Sequence, residues 1–169
     1  MKTKKLTVLA LLSAVALTIF MVEAQIPPLI PIQGVRLGLA NIITVYTVFA
    51  LGAKEGAAVL FARIFLGALF SGNFGTIFYS AAGGALAILT TIALKPVLKG
   101  RQLWIAGCLG AIAHSIGQMI VALWITGSPS LVIYLPVLIL CSIFSGIFTG
   151  LCAQLLVNRG SKIWKTIFK

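Results

Sequence analysis

Residues 103–125 read LWIAGCLGAIAHSIGQMIVALWI, a run with no acid, lysine or arginine. As a helix rising about 1.5 Å per residue it exceeds the ~30 Å hydrocarbon core of a bilayer. Only His114, Ser115 and Gln118 interrupt its apolar character, so the stretch reads as a membrane-spanning helix that carries a few costly polar groups inward. Five more apolar segments flank it, at about 6–22, 38–53, 56–70, 76–94 and 131–157. The expected fold is an all-α membrane protein, a single integral domain over residues 1–169 built as a bundle of six transmembrane helices.

Composition agrees. The chain is 60% hydrophobic and 9% charged, where a soluble domain carries about a quarter charged residues. Thirteen Lys and Arg face two acids, for a net charge of +11. In a soluble protein that excess would point to nucleic acid. Here it falls between the apolar runs and at the chain ends, and so implies the lipid bilayer as partner and no nucleic acid. Lys2, Lys4 and Lys5 precede the first span, and Lys54 joins the second to the third. Lys95, Lys99 and Arg101 join the fourth to the fifth, while Arg159, Lys162, Lys165 and Lys169 follow the sixth. The opposite connections hold Arg36 alone. The excess of Lys and Arg on cytoplasmic loops then places both termini in the cytoplasm of a multi-pass protein of the cell membrane. The start also resembles a secretory leader, with Val22-Glu23-Ala24 as a small-residue cleavage site. The 17-residue apolar run is longer than the usual ~7–15, which favours a retained anchor.

The outer connection 23–37 contains Pro27, Pro28 and Pro31, which remove backbone donors and block helix, so a lid-like loop is expected there. Arg63 lies inside the third span, with Gly67 and Ser71 following at helical steps of four. His114 and Gln118 share a face of the fifth. By helical rise Arg63 lies about 12 Å, and Gln118 about 10 Å, below the outer ends of their helices. Asn41, Tyr79 and Tyr134 sit near the outer starts of the second, fourth and sixth spans, and Asn73 in an outer turn. Ionisable side chains inside a membrane usually face a cavity or a partner. The expected site is therefore an outward-opening chamber with Arg36, Asn41, Arg63, Asn73, Tyr79, His114, Gln118 and Tyr134 as substrate-binding residues. Arginine offers a rigid fork of donors to carboxylate or phosphate, so the expected substrate is a small anionic organic molecule.

Other chemistries lack residues. The chain has no phosphate-cradling G-x-x-x-x-G-K-[ST] loop, and one His with two Glu cannot supply a metal cluster or a Ser-His-Asp set. No catalytic residue, metal or cofactor is expected, and active transport would need energy from a partner. Cys108, Cys141 and Cys152 lie in apolar runs and read as small packing residues. Ala10 and Ala14, and Gly146 and Gly150, are small-xxx-small steps at which helices approach closely, by default within the bundle.

The segments Arg36-Leu37-Gly38-Leu39-Ala40-Asn41-Ile42, Arg63-Ile64-Phe65-Leu66-Gly67, Tyr79-Ser80-Ala81-Ala82-Gly83-Gly84, His114-Ser115-Ile116-Gly117-Gln118 and Tyr134-Leu135-Pro136 together resemble the Gx transporter family. That family is also labelled heptaprenyl diphosphate synthase component I and is grouped with the S components of energy-coupling factor transporters. The likeness covers most of the chain, although Ser115 stands where the family commonly has Asn. It implies an S-component-like bundle with an outward pocket and a lid after the first helix. It also implies docking of a coupling transmembrane subunit, driven by ATPases, on an Ala-xxx-Ala face, which Ala10 and Ala14 match. The other reading is a non-catalytic scaffold or accessory subunit for isoprenoid or quinone biosynthesis, or for a flavin-linked redox assembly. Prenyl condensation itself needs Mg²⁺ held by carboxylates, and aspartate is absent from this chain.

Overall fold

A computed structural model describes the chain over residues 2–26, 38–98 and 100–167, with side chains described over 3–26, 38–98 and 100–160. These residues form α1 (Lys2–Glu23), α2 (Asn41–Ala50), α3 (Ala53–Ser71), α4 (Thr76–Leu98), α5 (Leu103–Thr126), a 3-10 turn (Pro129–Tyr134) and α6 (Leu135–Ile167). No strand occurs among the described residues.

Four stretches, Thr3–Glu23, Thr76–Leu98, Leu103–Thr126 and Pro129–Gly160, are helical, long and apolar enough to cross a membrane. The bundle turns Phe61, Phe65, Trp124, Phe144 and Phe148 outward. In water each such side chain would forgo the roughly 1.5–3 kcal/mol that its burial is worth, whereas lipid accommodates them. These features describe a multi-pass membrane protein.

The second and third apolar segments differ from these four. Segment 38–53 is helical only over Asn41–Ala50, about 15 Å by helical rise and half a hydrocarbon core. Two glycines bracket it, Gly38 at φ 78° and Gly52 at φ 137°, backbone angles that residues with a Cβ adopt only under strain. The α3 helix is 19 residues long but holds Lys54, Glu55 and Arg63. The sixth segment is also recast, because the chain enters through the 3-10 turn and α6 continues to Ile167.

Successive helices run antiparallel, which gathers their ends at two poles. One pole is basic, carrying Lys4, Lys5, Lys54, Lys95, Arg101 and Arg159. Lys95 Nζ donates to the Val48 carbonyl at 2.6 Å, satisfying an orphan acceptor at the end of short α2. Gln154 of α6 clasps the α4–α5 connection, its Oε1 accepting from Leu103 N–H at 2.9 Å and its Nε2 donating to the Gly100 carbonyl at 2.9 Å. Lys5 of α1 pairs with Glu55 of α3.

That last pair is half in solvent, and its hydrogen bond with Lys5 holds the Glu55 carboxyl below its ordinary value of 4.5. A carboxylate with a depressed folded-state pKa stabilises the fold above about 4.5, and the contribution is lost as pH falls through the lowered value. Exposed ion pairs are worth about 0–1 kcal/mol. Glu55→Gln is therefore expected to melt within about 2–4 °C of wild type at pH 7 and to converge on it as the pH is lowered below 4.5, which thermal denaturation across a pH series checks.

The core is organised on α5, which packs most extensively against α6 on one side and α4 on the other. A Cβ placed on Gly107 would stand 2.3 Å from the Gly146 carbonyl oxygen and 2.6 Å from Gly150 Cα; one on Gly146 would stand 2.6 Å from Cys108 Cα. The Gly146–Gly150 step is thus spent inside the bundle, in the α5–α6 seam. Gly117 meets Ala82 and Gly83 of α4 just as closely. A hydroxyl pair ties the first seam: Ser142 Oγ donates to the Leu138 carbonyl at 2.7 Å, leaving it to accept from Ser115 Oγ at 2.6 Å. By contrast Ala10 and Ala14 are exposed along α1, beside Leu6 and Leu11.

Candidate functional site

At the pole opposite the lysines, α1 ends in a buried acid. Glu23 is only 5% exposed, and both its oxygens are held from across the outer connection. Gly38 N–H donates to Oε1 at 2.6 Å and Leu39 N–H donates to Oε2 at 3.0 Å. Two successive backbone donors converging on one carboxylate form a small anion cradle. The cradle exists because Gly38 adopts its left-handed angle immediately before α2, while the following turn is closed by Asn41 N–H donating to the Gly38 carbonyl at 2.9 Å.

Gly38 also opens the space beside it. A Cβ there would lie 3.0 Å from Asn41 Nδ2 and 3.2 Å from His114 Cδ2. The imidazole of α5 is gripped on its far side by α4, where a Cβ on Gly83 would lie 2.8 Å from His114 Nδ1. The ring therefore fills a slot cut by two glycines from different helices. Its Nδ1 lies against the Gly83 backbone and makes no hydrogen bond of acceptable geometry.

Arg63 enters from α3, 3% exposed. Its Nη1 donates to Asn41 Oδ1 at 3.4 Å, a long bond that fixes the amide so that Nδ2 faces away. Both Glu23 and His114 lie within electrostatic range of the guanidinium. Four residues on, Gly67 seats the Phe20 ring of α1, where a Cβ would lie 2.7 Å from Phe20 Cε1. The small step of the α3 stripe thus admits α1 rather than lining a chamber.

Among the described residues, four side-chain atoms near this pole are buried without a hydrogen-bond partner: Asn41 Nδ2, Thr44 Oγ1, Arg63 Nε and His114 Nδ1. Buried polar groups are overwhelmingly satisfied in native structures, and each unmet one costs about 1–3 kcal/mol. Four in one small bundle, on α2, α3 and α5, mark a polar centre whose hydrogen-bonding capacity the described residues do not use.

The candidate residues divide accordingly. Asn41, Arg63 and His114 are brought together, with Gln118 buried one turn along α5 from His114. Tyr79 is buried in an apolar cluster with Met119, Ala122 and Leu138. Asn73 is exposed at its turn, where its backbone carbonyl accepts from Thr76 Oγ1 at 2.7 Å. Tyr134 is 36% exposed in the 3-10 turn. Arg36 and the prolines of the outer loop, Pro27, Pro28 and Pro31, lie outside the described residues.

Reading polar residues inside apolar runs missed two members. Glu23 is at a span's end, where charge is ordinary, although its being the lone acid of that half was a signal. Thr44 carries a hydroxyl, a group so often bonded to its own helix that it stands out little. Among the described residues no group of three or more His, Cys, Asp or Glu is placed to hold a metal ion.

A family model described as heptaprenyl diphosphate synthase component I matches residues 12–156. The chain belongs to that family. No curated protein and no solved structure matches it. The match runs from the middle of α1 to the last third of α6, and so includes Glu23, Asn41, Arg63 and His114. The family's description is of one component of an assembly and assigns no chemistry to these residues.

Proposed function

We propose that this family member is the membrane-embedded substrate-binding subunit of an uptake system for a small anionic organic molecule, a nutrient or cofactor precursor. In this reading the bundle spans the plasma membrane six times, α2 and α3 being the short and the charged passages, with both termini in the cytoplasm. The observation that carries it is the buried centre of Asn41, Thr44, Arg63 and His114, with four polar atoms unused inside an apolar bundle. A fold that needed these groups only for packing would have satisfied them.

The chain offers no nucleotide-binding loop, so energy would come from ATPase subunits through a coupling transmembrane partner. The exposed Ala10–Ala14 face of α1 supports a docking role, because small residues let a partner helix approach closely. Arg63, Asn41 and His114 would contact the substrate, with Gln118 beside them. Arg36, Asn73 and Tyr134 would line the approach, with Tyr79 packed behind it in the apolar core.

The test is retention. Protein extracted in mild detergent should carry a small molecule detectable by mass spectrometry, and Arg63→Ala should lower the retained fraction at least tenfold, about 1.4 kcal/mol of binding. Undiminished retention in that variant would remove Arg63 from the site. The family description favours a second reading, a non-catalytic accessory subunit that anchors a prenyl-diphosphate or quinone-forming complex. Copurification of soluble enzymes, with no small molecule and no stimulation of ATP hydrolysis, would select it.

A further inference from the structure

The basic pole carries cations on every side, but they are not equivalent. We propose that the corner where the α4–α5 connection meets α6 is a binding site for an anionic phospholipid.

The Gln154 clasp builds that corner. Its Nε2 donates to the Gly100 carbonyl at 2.9 Å and to Asn158 Oδ1 at 3.1 Å, while its Oε1 accepts from Leu103 N–H at 2.9 Å. These bonds pin the backbone on either side of Arg101 to the turn of α6 that leads into Arg159. Both arginines are exposed. Neither side-chain acid of the chain can neutralise them, because Glu23 is at the opposite pole and Glu55 pairs with Lys5 between α1 and α3. The other cations differ. Lys4 and Lys54 adjoin that ion pair in sequence, and Lys95 is spent on the Val48 carbonyl.

The surface below the arginines has the character of a lipid tail's partner. On α6, Leu151, Leu155 and Arg159 follow at steps of four and so share one face. All three are exposed, the leucines at 48% and 60%. On α5, Trp104 stands three residues after Arg101 and is 42% exposed. A Cβ on Gly150 would lie 2.5 Å from Trp104 Cα, so Trp104 and Leu151, the neighbour of Gly150, border the same seam. Each of the two helices thus sets an apolar side chain toward the membrane interior and an arginine at its edge. Tryptophan is favoured at headgroup depth. Arginine matches phosphate with a rigid fork of donors, and basic groups between helices at a membrane surface bind anionic headgroups. A soluble phosphate ester would use the arginines and leave the apolar stripe idle. A phospholipid uses both.

Full-length protein in neutral detergent, mixed with phosphatidylglycerol or phosphatidylcholine and read by native mass spectrometry, tests the assignment. Phosphatidylglycerol adducts are expected at least tenfold more readily than phosphatidylcholine adducts. Arg101→Gln with Arg159→Gln should cut that preference at least fivefold. Lys4→Gln with Lys54→Gln removes the same charge from the α1–α3 side and should keep more than half of it. The four side chains are exposed, so both double variants should fold, and Arg101→Lys with Arg159→Lys, which retains the charge, should keep most of the preference. Glycerol 3-phosphate in tenfold excess should not displace the lipid. Equal binding of the two lipids, or equal losses in the two glutamine variants, would overturn the site, the latter by reducing it to net charge. Displacement by glycerol 3-phosphate would overturn the lipid as its occupant.

Discussion

Gly107→Ala should destabilise the bundle by about 3 kcal/mol, and Gly107→Leu should leave no folded protein to purify. The added Cβ stands 2.3 Å from the Gly146 carbonyl oxygen and 2.6 Å from both Gly150 Cα and Gly150 N, far inside any van der Waals contact. All three obstacles are backbone, so no rotamer change relieves them and α6 must move as a body. Overpacking a tight interior costs about 1–3 kcal/mol and sometimes more. This seam is at the upper end because in lipid it is close packing that holds helices together. The displacement would also stretch the Ser115–Ser142 hydroxyl contact of 2.6 Å. Gly110 provides the control, three residues on in the same helix. There a Cβ meets only Thr91 Oγ1 at 3.4 Å and the Ala87 carbonyl oxygen at 3.7 Å, ordinary contact distances, so Gly110→Ala should melt within about 2 °C of wild type. Detergent-solubilised proteins followed by thermal denaturation and gel filtration give the comparison. Equal stability of the two alanine variants would mean that the α5–α6 seam can slide without loss.

What the sequence discloses depends on the physical scale of the signal. A membrane demands some twenty apolar residues in a row, and the runs now seen as α1, α4, α5 and α6 meet that demand without help from neighbours. The burial of Asn41, Arg63, His114 and Gln118 follows from the same cost applied in reverse, since polar groups set in apolar helices turn away from lipid. The Gly146–Gly150 spacing likewise announces a close helix contact, and the fold places it within the bundle. What was not legible depends on single backbone angles and on pairs far apart in the chain. The shortness of α2 is decided by Gly38 and Gly52 at positive φ, and a glycine in a sequence does not declare its angle. Glu23 reads as a boundary acid until its partners, fifteen and sixteen residues on, are known. Tyr79 shows the limit from the other side: its position near the start of α4 suits a chamber wall, yet its ring packs with Met119, Ala122 and Leu138. Only the rotation of α4, fixed by Gly83 against His114 and Gly117, decides which way it faces.

Glu23→Ala should cost about 2–5 kcal/mol and unfasten the outer end of the molecule without dissolving its basic pole. The substitution removes the acceptor for two buried donors at once, Gly38 N–H and Leu39 N–H. An unsatisfied buried donor costs about 1–3 kcal/mol. It also withdraws a carboxylate within electrostatic range of Arg63, leaving a buried guanidinium less compensated. Glu23→Gln separates the two effects. Its amide oxygen still accepts one bond while the charge is gone, so its loss should fall near half that of the alanine variant. The contacts at the other pole, Lys95 to the Val48 carbonyl and Gln154 to Gly100 and Leu103, share no atom with this clasp and should persist, since distant sites behave additively. Hydrogen exchange read by mass spectrometry resolves the pattern. Amides at 38–42 should exchange at least tenfold faster in Glu23→Ala, because losing about 1.4 kcal/mol or more of local stability has that effect. Amides at 100–105 should keep their wild-type rates. Because Gly38 borders Asn41 Nδ2 and His114, loosening it also loosens the polar centre, and under the proposed binding role the same variant should release a bound molecule faster. Unchanged exchange at 38–42 would show that the turn before α2 is held by Asn41 N–H and the Gly38 carbonyl alone, and that Glu23 is a passenger in its own cradle.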